Sequence, residues 1–419
     1  MIRVLYRCPR EETGSGGLTW VREVLFNWMW AHHQGSPLYG RPPVRPEILA
    51  WLGLDWREPE VAPGQAEMEQ AVERLLREGR AFFCDCPGPR CQGCGGRGPA
   101  VRFQPPPWTV RDPLHGDLVP DPGQPLLRAA DGSPGDLLRD VFLDHGFGTT
   151  GRLRDLSRVE ETAREQTLAR ALGFPPVAVR HLAPLRGAEH LHLDGLRRQG
   201  YLPEALLSYL GELGWRTPGG RQFLTRPELA LHFTLEGLQP EPADWDPARL
   251  EEIQERFSAE LTPAEWVERS LGFWQEEGLL EPPLEKRQRM ELEALALLYA
   301  DRMRHLTDFP RQVAFYVRDP QPDPAEGSRV QACAPRLAGL LPALEGLEEW
   351  DSLPLEDLVA GLDGPSLEAL EIVVTGRTGT PGLAEVMALV GREAVLRRLR
   401  RALAPGRPPL QLPWADPAR

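Results

Sequence analysis

Four cysteines fall within residues 84–94, in the run Phe83-Cys84-Asp85-Cys86-Pro87-Gly88-Pro89-Arg90-Cys91-Gln92-Gly93-Cys94-Gly95-Gly96. The spacing C-x-C-x4-C-x2-C puts a short cysteine pair on each side of a Gly/Pro turn, and two such pairs can wrap one tetrahedral Zn²⁺. Gly93, Gly95 and Gly96 permit the positive φ values that a knuckle of this kind needs. All four candidate ligands, Cys84, Cys86, Cys91 and Cys94, are thiols, so no coordination position stays open and the expected zinc is structural. Free thiols or two disulfides are the competing readings, and a reducing cytosol argues against the disulfides. Cys8 and Cys333 read as buried small hydrophobes.

The other candidates for chemistry are weaker. His115, His145, His181, His190 and His192 read as loop residues. His190 and His192, two apart, would share one side of a strand and could hold a metal with Glu189 or Asp194. Solvent exposure is the commoner fate of such a pair. Asp144-His145 reads as a structural turn rather than a dyad. Gly14-Ser15-Gly16-Gly17 precedes a helix and could cradle an anion, but no lysine follows it. Of 48 Lys+Arg residues only Lys286 is lysine, so any role requiring an ammonium has one candidate. There is no G-x-S-x-G, P-loop or dinucleotide fingerprint.

These residues need elements to hold them. The chain has 419 residues, enough for two to four domains, and its 41% apolar and 26% charged composition is that of a folded protein. Its 44 Pro and 41 Gly have no fixed period and mark turns between helices. No apolar run is long enough to span a bilayer, and Met1–Arg10 lacks the apolar stretch of a secretory signal, so a cytoplasmic location without membrane is expected. The net charge of −13 weakens any simple polyanion-binding role while leaving room for one basic face.

A strand at residues 2–7 runs through a polar turn into a helix at 18–33, a nucleotide-binding type of α/β opening. Helices follow at 46–54 and 65–78, the latter with Met68, Ala71, Val72, Leu75 and Leu76 near helical spacing. The cysteine run and the Pro-rich stretch 104–124 read as an insertion. A strand at Leu126-Leu127, a turn at Asp131-Gly132 and helices at 136–143 and 160–172 restore α/β character, with Gly173 as the last cap. From Leu202 the period is helical throughout: 203–213, 227–232, 247–257, 263–277, 285–306, 336–341 and 383–403, with a Pro-rich tail after Ala404. The last helix carries Arg392, Arg397, Arg398, Arg400 and Arg401, and Arg377 precedes it. Such a row either pairs with phosphates or is a solvated face. Phe82, Phe83, Phe103 and Trp108 either stack on bases or pack in the core.

Gly200-Tyr201-Leu202-Pro203-Glu204-Ala205-Leu206-Leu207-Ser208-Tyr209-Leu210 closely resembles a segment of bacterial glutamyl-tRNA synthetases, class I enzymes, just after their KMSKS loop. Val24-Leu25-Phe26-Asn27-Trp28 resembles the family's ALFNW helix, Leu76–Cys86 its approach to the insert, and Leu127-Arg128-Ala129-Ala130-Asp131-Gly132 its LRxxDG strand. Thr375-Gly376 with Thr380–Gly391 resembles its anticodon domain. The resemblance implies an α/β plus all-α fold. A class I Rossmann-type head with a zinc-bearing insert would be followed by stem-contact and helical anticodon-binding domains. The implied boundaries are 1–80 and 133–190 for the two Rossmann halves, 81–132 for the acceptor-binding insert, 191–260, 261–405, and a tail at 406–419.

The family's catalytic signatures do not carry over. Arg7 matches the arginine that reads the glutamate side chain, Thr13-Gly14 match its TG, and Arg154 matches the arginine of its V-I-R-G strand. The HIGH position reads Gly17-Leu18-Thr19-Trp20, without an imidazole for the ATP phosphates and with a branched Cβ where glycine allows close approach. Glu11 stands for the serine expected at the amino acid, and the R-I-E-D-T-D run is missing, Gly35 passing almost directly to Pro42. Residues 181–190 bridge to the helix at Leu193 with the KMSKS loop deleted, Arg186 the one cation left there. Ser133-Pro134-Gly135-Asp136 replaces the tyrosine after the DG turn, and Asp144-His145 stands where the family pairs two aspartates.

Arg7, Thr13, Gly14, Gly17, Trp20 and Arg154 are therefore read as a pocket remnant, ATP is not expected to bind, and no catalytic residue is assigned. The expected function is a pseudoenzyme that binds tRNA, with Arg377, Arg392, Arg397, Arg398 and Arg401 toward the tRNA and no DNA role. A protein-interaction scaffold, with a protein partner, and an active glutamate–tRNA ligase with an atypical site are the alternatives.

Overall fold

The computed structural model describes residues 3–7, 17–41, 46–86 and 90–404, with the side chains of Arg7 and Arg41 left aside. Cys8, Thr13, Gly14 and the tail at 406–419 lie outside the described residues. The chain divides into two compact units, 1–254 and 255–419.

The first unit opens with β1 (Leu5–Arg7), α1 (Leu18–His33), β2 (Leu38–Arg41), α2 (Pro46–Leu52), β3 (Trp56–Arg57) and α3 (Gln65–Arg77). β1, β2 and β3 pair in parallel, as βαβ crossovers require. The antiparallel strands β4 (Ala81–Cys84), β5 (Ala100–Phe103) and β8 (Leu126–Arg128) form one small sheet. Between β5 and β8 lies the hairpin of β6 (Val110–Asp112) and β7 (Gly116–Leu118). Then come α4 (Asp136–Phe147), β9 (Gly151–Asp155), α5 (Val159–Leu172) and β10 (Ala178–Leu182), with β9 and β10 parallel. A parallel bridge from Val4 to Gly151 joins the two parallel sheets, giving the spatial order β3-β2-β1-β9-β10. The order reverses between β1 and β9, and open α/β sheets bind their ligands beyond the carboxyl ends of the strands at that point.

α1 is apolar nearly all round because it is buried on every side, from Leu18 to Ala31 with few exceptions. Asn27 ties it to β9: its Nδ2 donates to the Leu153 carbonyl at 2.8 Å and its Oδ1 accepts from the Leu153 N–H at 2.9 Å. A second core gathers Met68, Val72 and Leu75 of α3 with Val101, Phe103 and Leu127 of the antiparallel sheet and Leu138, Val141 and Leu168 of α4 and α5. The small strand β11 (Leu185–Arg186) pairs with β12 (Ala243–Asp244), and α6 (Leu193–Gln199), α7 (Pro203–Glu212) and α8 (Arg226–His232) lie between them, before α9 (Pro247–Ser258).

The second unit is all helical: α10 (Pro263–Glu276), α11 (Lys286–Tyr299), α12 (Asp308–Val313), α13 (Pro324–Ala332), α14 (Ala334–Glu345), α15 (Ser352–Ala360), α16 (Gly364–Thr375), α17 (Leu383–Val390) and α18 (Arg392–Leu403). Two helices depart from the sequence pattern. The one expected at 285–306 closes at Tyr299 in a 3₁₀ turn. The one expected at 383–403 is split by Gly391, whose φ of 87° and ψ of 152° no helix can contain. Cys333 is half-buried at the start of α14, with its thiol facing the Pro365 carbonyl at 3.4 Å, so it is not the core hydrophobe expected.

Candidate functional site

The cysteine run folds so that the four sulfurs close on one point. Cys84 ends β4 and is buried, and Cys86, Cys91 and Cys94 wrap around it half-buried. The Cys86–Cys91, Cys91–Cys94 and Cys94–Cys84 sulfurs are 3.9, 3.5 and 3.8 Å apart. Four thiolates at the usual Zn–S length sit about 3.8 Å apart at the corners of a tetrahedron. A disulfide would need about 2.0 Å, so the disulfide reading is corrected. Backbone N–H groups already serve the sulfurs: Gln92 N–H donates to Cys86 Sγ at 3.2 Å and Cys86 N–H to Cys84 Sγ at 3.4 Å. Hydrogen bonds from the Asp85 N–H and from Cys91 hold the Cys94 thiol down at about 6. At Cys86 the Gln92 bond also favours the thiolate, but burial and the neighbouring thiols outweigh it and raise the group. Four sulfurs converging on one point fit a divalent cation. Gly98, at φ +128°, is the close approach: a Cβ there would lie 2.7 Å from the Cys84 carbonyl atoms.

The second site is a cavity of about 790 Å³ at the sheet's switch point. Its walls come from the start of α1 (Thr19, Trp20, Glu23), the turn into α4 (Ser133–Asp136) and the segment from Arg154 to Glu165. Four arginines and seven carboxylates line it. Each arginine is paired: Arg139 with Asp136 at 3.3 Å, Arg154 with Glu165 at 2.7 Å, Arg158 with Glu161 at 2.7 Å and with Glu23, and Arg164 with Glu160 at 2.9 Å. Burial raises Glu23 against the pull of Arg158. Burial acts the same way on Glu161, where the Arg158 bond wins and lowers the group. Beneath the floor, buried Arg22 pairs with Asp155 at 3.1 Å. Trp20 is 2% exposed and occupies the head of the site. Arg154, equally buried, also donates to Thr162 Oγ1 at 3.2 Å.

At the same end of the sheet the backbones of Gly17 and His192 form an antiparallel bridge. His192 is therefore the residue capping α6, not part of a strand with His190, and both imidazoles are exposed. Among the described residues the only cluster able to hold a metal is the cysteine one, so the His190/His192 site is withdrawn. Asp144 pairs with buried Arg152 and accepts from Thr149 Oγ1 at 2.9 Å, while His145 stacks on Phe174 with ring centroids 3.8 Å apart, so they form no dyad.

His181 lies on β10, fully buried, not on a loop. Its Nδ1 meets Asp112 Oδ2 at 2.8 Å and its Nε2 meets Thr162 Oγ1 at 3.0 Å. Burial works against ionisation of Asp112, but His181 and the Leu114 and His115 N–H groups overcome it and hold the carboxyl at about 2. Phe103 is a core residue, and Trp108 is spent on Gln166 and Arg170, which leaves Phe83 the one well-exposed ring of that group.

The arginines of this row are engaged within their own unit, although only Arg398 is buried. Arg398 is 3% exposed and donates to Asp319 at 3.0 Å and to the Val374 and Phe315 carbonyls at 2.7 and 2.6 Å, so it offers nothing to a phosphate. Arg397 and Arg401 reach the same Asp319 at 2.8 and 3.2 Å, although Arg397 stays mostly exposed. Arg392 donates to the Leu347 carbonyl, and Arg377 to Gln312 and the Arg311 carbonyl. Sequence reasoning missed Arg22, Glu23, Asp155 and Arg158; the signal was two adjacent charges inside an otherwise apolar helix.

Residues 264–403 match the anticodon binding domain family. The glutamate–tRNA ligase of Chloroflexus aurantiacus is 28% identical over 493 residues, covering 96% of this chain and 97% of its own. That of Roseiflexus castenholzii is also 28% identical, covering 96% of each. A solved glutamate–tRNA ligase of Elizabethkingia meningosepticum, in complex with its amino acid, superposes with a TM-score of 0.73 over 96% of this chain and 99% of that one, at 16% identity. The chain is thus similar to glutamate–tRNA ligases over 96% of its length and shares the fold of the solved one, with a helical anticodon-binding domain.

Proposed function

We propose that this protein binds tRNA and has lost the ability to form an aminoacyl adenylate. The observation that carries this reading is the Gly17–His192 bridge. In the resemblance, Gly17 stands at the first residue of the HIGH signature and His192 just beyond the missing KMSKS loop, the two segments between which ATP would lie. Here the two segments pair as an antiparallel backbone bridge, and the Trp20 side chain, three residues on from Gly17, is buried. The cavity chemistry supports the same reading. A triphosphate needs cations that gain charge partners as it binds, whereas each arginine on this wall already holds a carboxylate and the carboxylates outnumber them.

The parts that would handle tRNA persist. We assign 81–132 to the acceptor end, with a structural zinc on Cys84, Cys86, Cys91 and Cys94, 191–260 to the stem, and 261–405 to the anticodon. Within the last, Arg397 and Arg401 keep exposed surface beside their ion pair. The zinc would contribute folding free energy to the insert rather than chemistry.

Two assays on the full chain test this. Glutamate-dependent ATP–pyrophosphate exchange should stay at background with and without tRNA; exchange above background would favour an active ligase with an atypical site. Bulk tRNA should bind saturably, with an affinity that falls steeply as salt rises. No binding at low salt would sink the reading and favour a protein scaffold.

A further inference from the structure

Arg102 sits on β5, the central strand of the antiparallel sheet, and its side chain is buried, with 6% of the residue exposed. The pairing of β5 with β8 shifts register between Val101 and Arg102, and such an irregularity re-aims a side chain. The guanidinium points at the cysteine cluster. Its Nε donates to Cys84 Sγ at 3.2 Å, its Nη2 to the Cys86 carbonyl at 2.9 Å, and its Nη1 to the Gln124 carbonyl at 3.0 Å. Gln124 returns the contact, its Oε1 accepting from the Cys91 N–H at 2.9 Å while its Nε2 donates to Gln104. Three of the four cysteines are thus held from outside their own loop by two residues.

A buried guanidinium is costly unless negative charge lies beside it. A divalent ion with four thiolates carries a net double negative charge, and Arg102 is the cation in contact with it. A fork that also grips two backbone carbonyls fixes the angle at which Cys84 presents its sulfur, which one ammonium could not do. We propose that Arg102 is a positioning residue for the zinc and, with Gln124, sets how tightly the ion is held. This inference rests on the zinc reading above.

The test uses full-length protein carrying Arg102→Met, Arg102→Lys, Gln124→Leu or, as a control, Arg90→Met; the Arg90 side chain is largely exposed and pairs with Asp121. Zinc affinity is read by competition with a chromophoric chelator, and ligand geometry by the absorption of the Co²⁺-substituted protein. Arg102→Met should weaken zinc about 10–100-fold and shift the cobalt bands, Arg102→Lys and Gln124→Leu should fall between, and Arg90→Met should match wild type. Affinities within twofold of wild type for a folded Arg102→Met protein overturn the proposal. Should that variant not fold, the same result for Arg102→Lys and Gln124→Leu overturns it. Wild-type protein that binds no zinc would instead remove the zinc reading beneath it.

Discussion

The cysteine knuckle and the switch-point cavity lie in the same unit and are both dense in groups that do chemistry, yet they are opposites. In the knuckle four sulfurs converge at spacings a single ion would impose, with the Arg102 guanidinium in contact with one of them. In the cavity the charges are more numerous, but they balance one another across distances of about 2.7–3.3 Å. The difference is between groups that converge on one point and groups that pair with each other. A count of charged residues in a cleft does not separate those cases; the partners of each charge do.

The comparison is broken most directly by taking away what the knuckle is built for. Chelator treatment, or Cys84→Ser with Cys94→Ser, should abolish the one zinc per chain measured by elemental analysis and unfold residues 81–132, since structural zinc contributes about 10 kcal/mol or more in small sites. Full thermal stability after metal removal would make the cluster an ordinary thiol patch.

Next in size is a charge removed from the cavity's own network. Glu23→Gln should destabilise the first unit by about 3 kcal/mol in urea unfolding, because Arg158, mostly buried, keeps only the more exposed Glu161 as a charge partner. A loss below about 1 kcal/mol would mean the pair is dispensable. The helical unit offers a comparable hub in Asp319, which the Arg397 and Arg398 bonds hold at about 2 despite partial burial. Its folded value lies below the ordinary value of about 3.9, so its contribution is complete above about pH 4 and fades as pH falls through about 2. Asp319→Asn should cost about 3 kcal/mol at neutral pH by stranding Arg398 and should flatten the acid limb of the stability curve. An unchanged acid limb would show that other carboxylates govern it.

The smallest effect expected is a null one that sharpens the contrast. Thr19→Gly with Trp20→His puts back residues the resemblance expects, yet the Gly17–His192 bridge and the paired arginines remain, so pyrophosphate exchange should stay at background. Recovered exchange would show that side chains alone had closed the site.

Much of this was legible beforehand. The α1 span of 18–33 and the Gly173 cap follow from apolar spacing and a left-handed glycine, and the four cysteines declare themselves by spacing alone. What was hidden depends on approach between distant segments. Asp112 and His181 stand 69 residues apart, Arg22 and Asp155 133 apart, and neither pair carries a local pattern. The arginine row of α18 shows the same limit. A helix shows which residues share a face, but Asp319 arrives from another segment and pairs with Arg397, Arg398 and Arg401, burying only Arg398. The alignment with the Chloroflexus ligase runs over 493 residues against a chain of 419, a difference in length that composition could not reveal.

The Asp112–His181–Thr162 chain has one further consequence. The imidazole is wholly sheltered, its Nδ1 faces an ionised carboxylate, and Thr162 Oγ1, which accepts from Arg154, closes off Nε2. The Nδ1 proton is therefore shielded from solvent exchange and strongly deshielded magnetically. It should appear as an isolated downfield proton resonance that persists in water, a native spectroscopic beacon for whether β10, α5 and the β6 hairpin are docked in any variant.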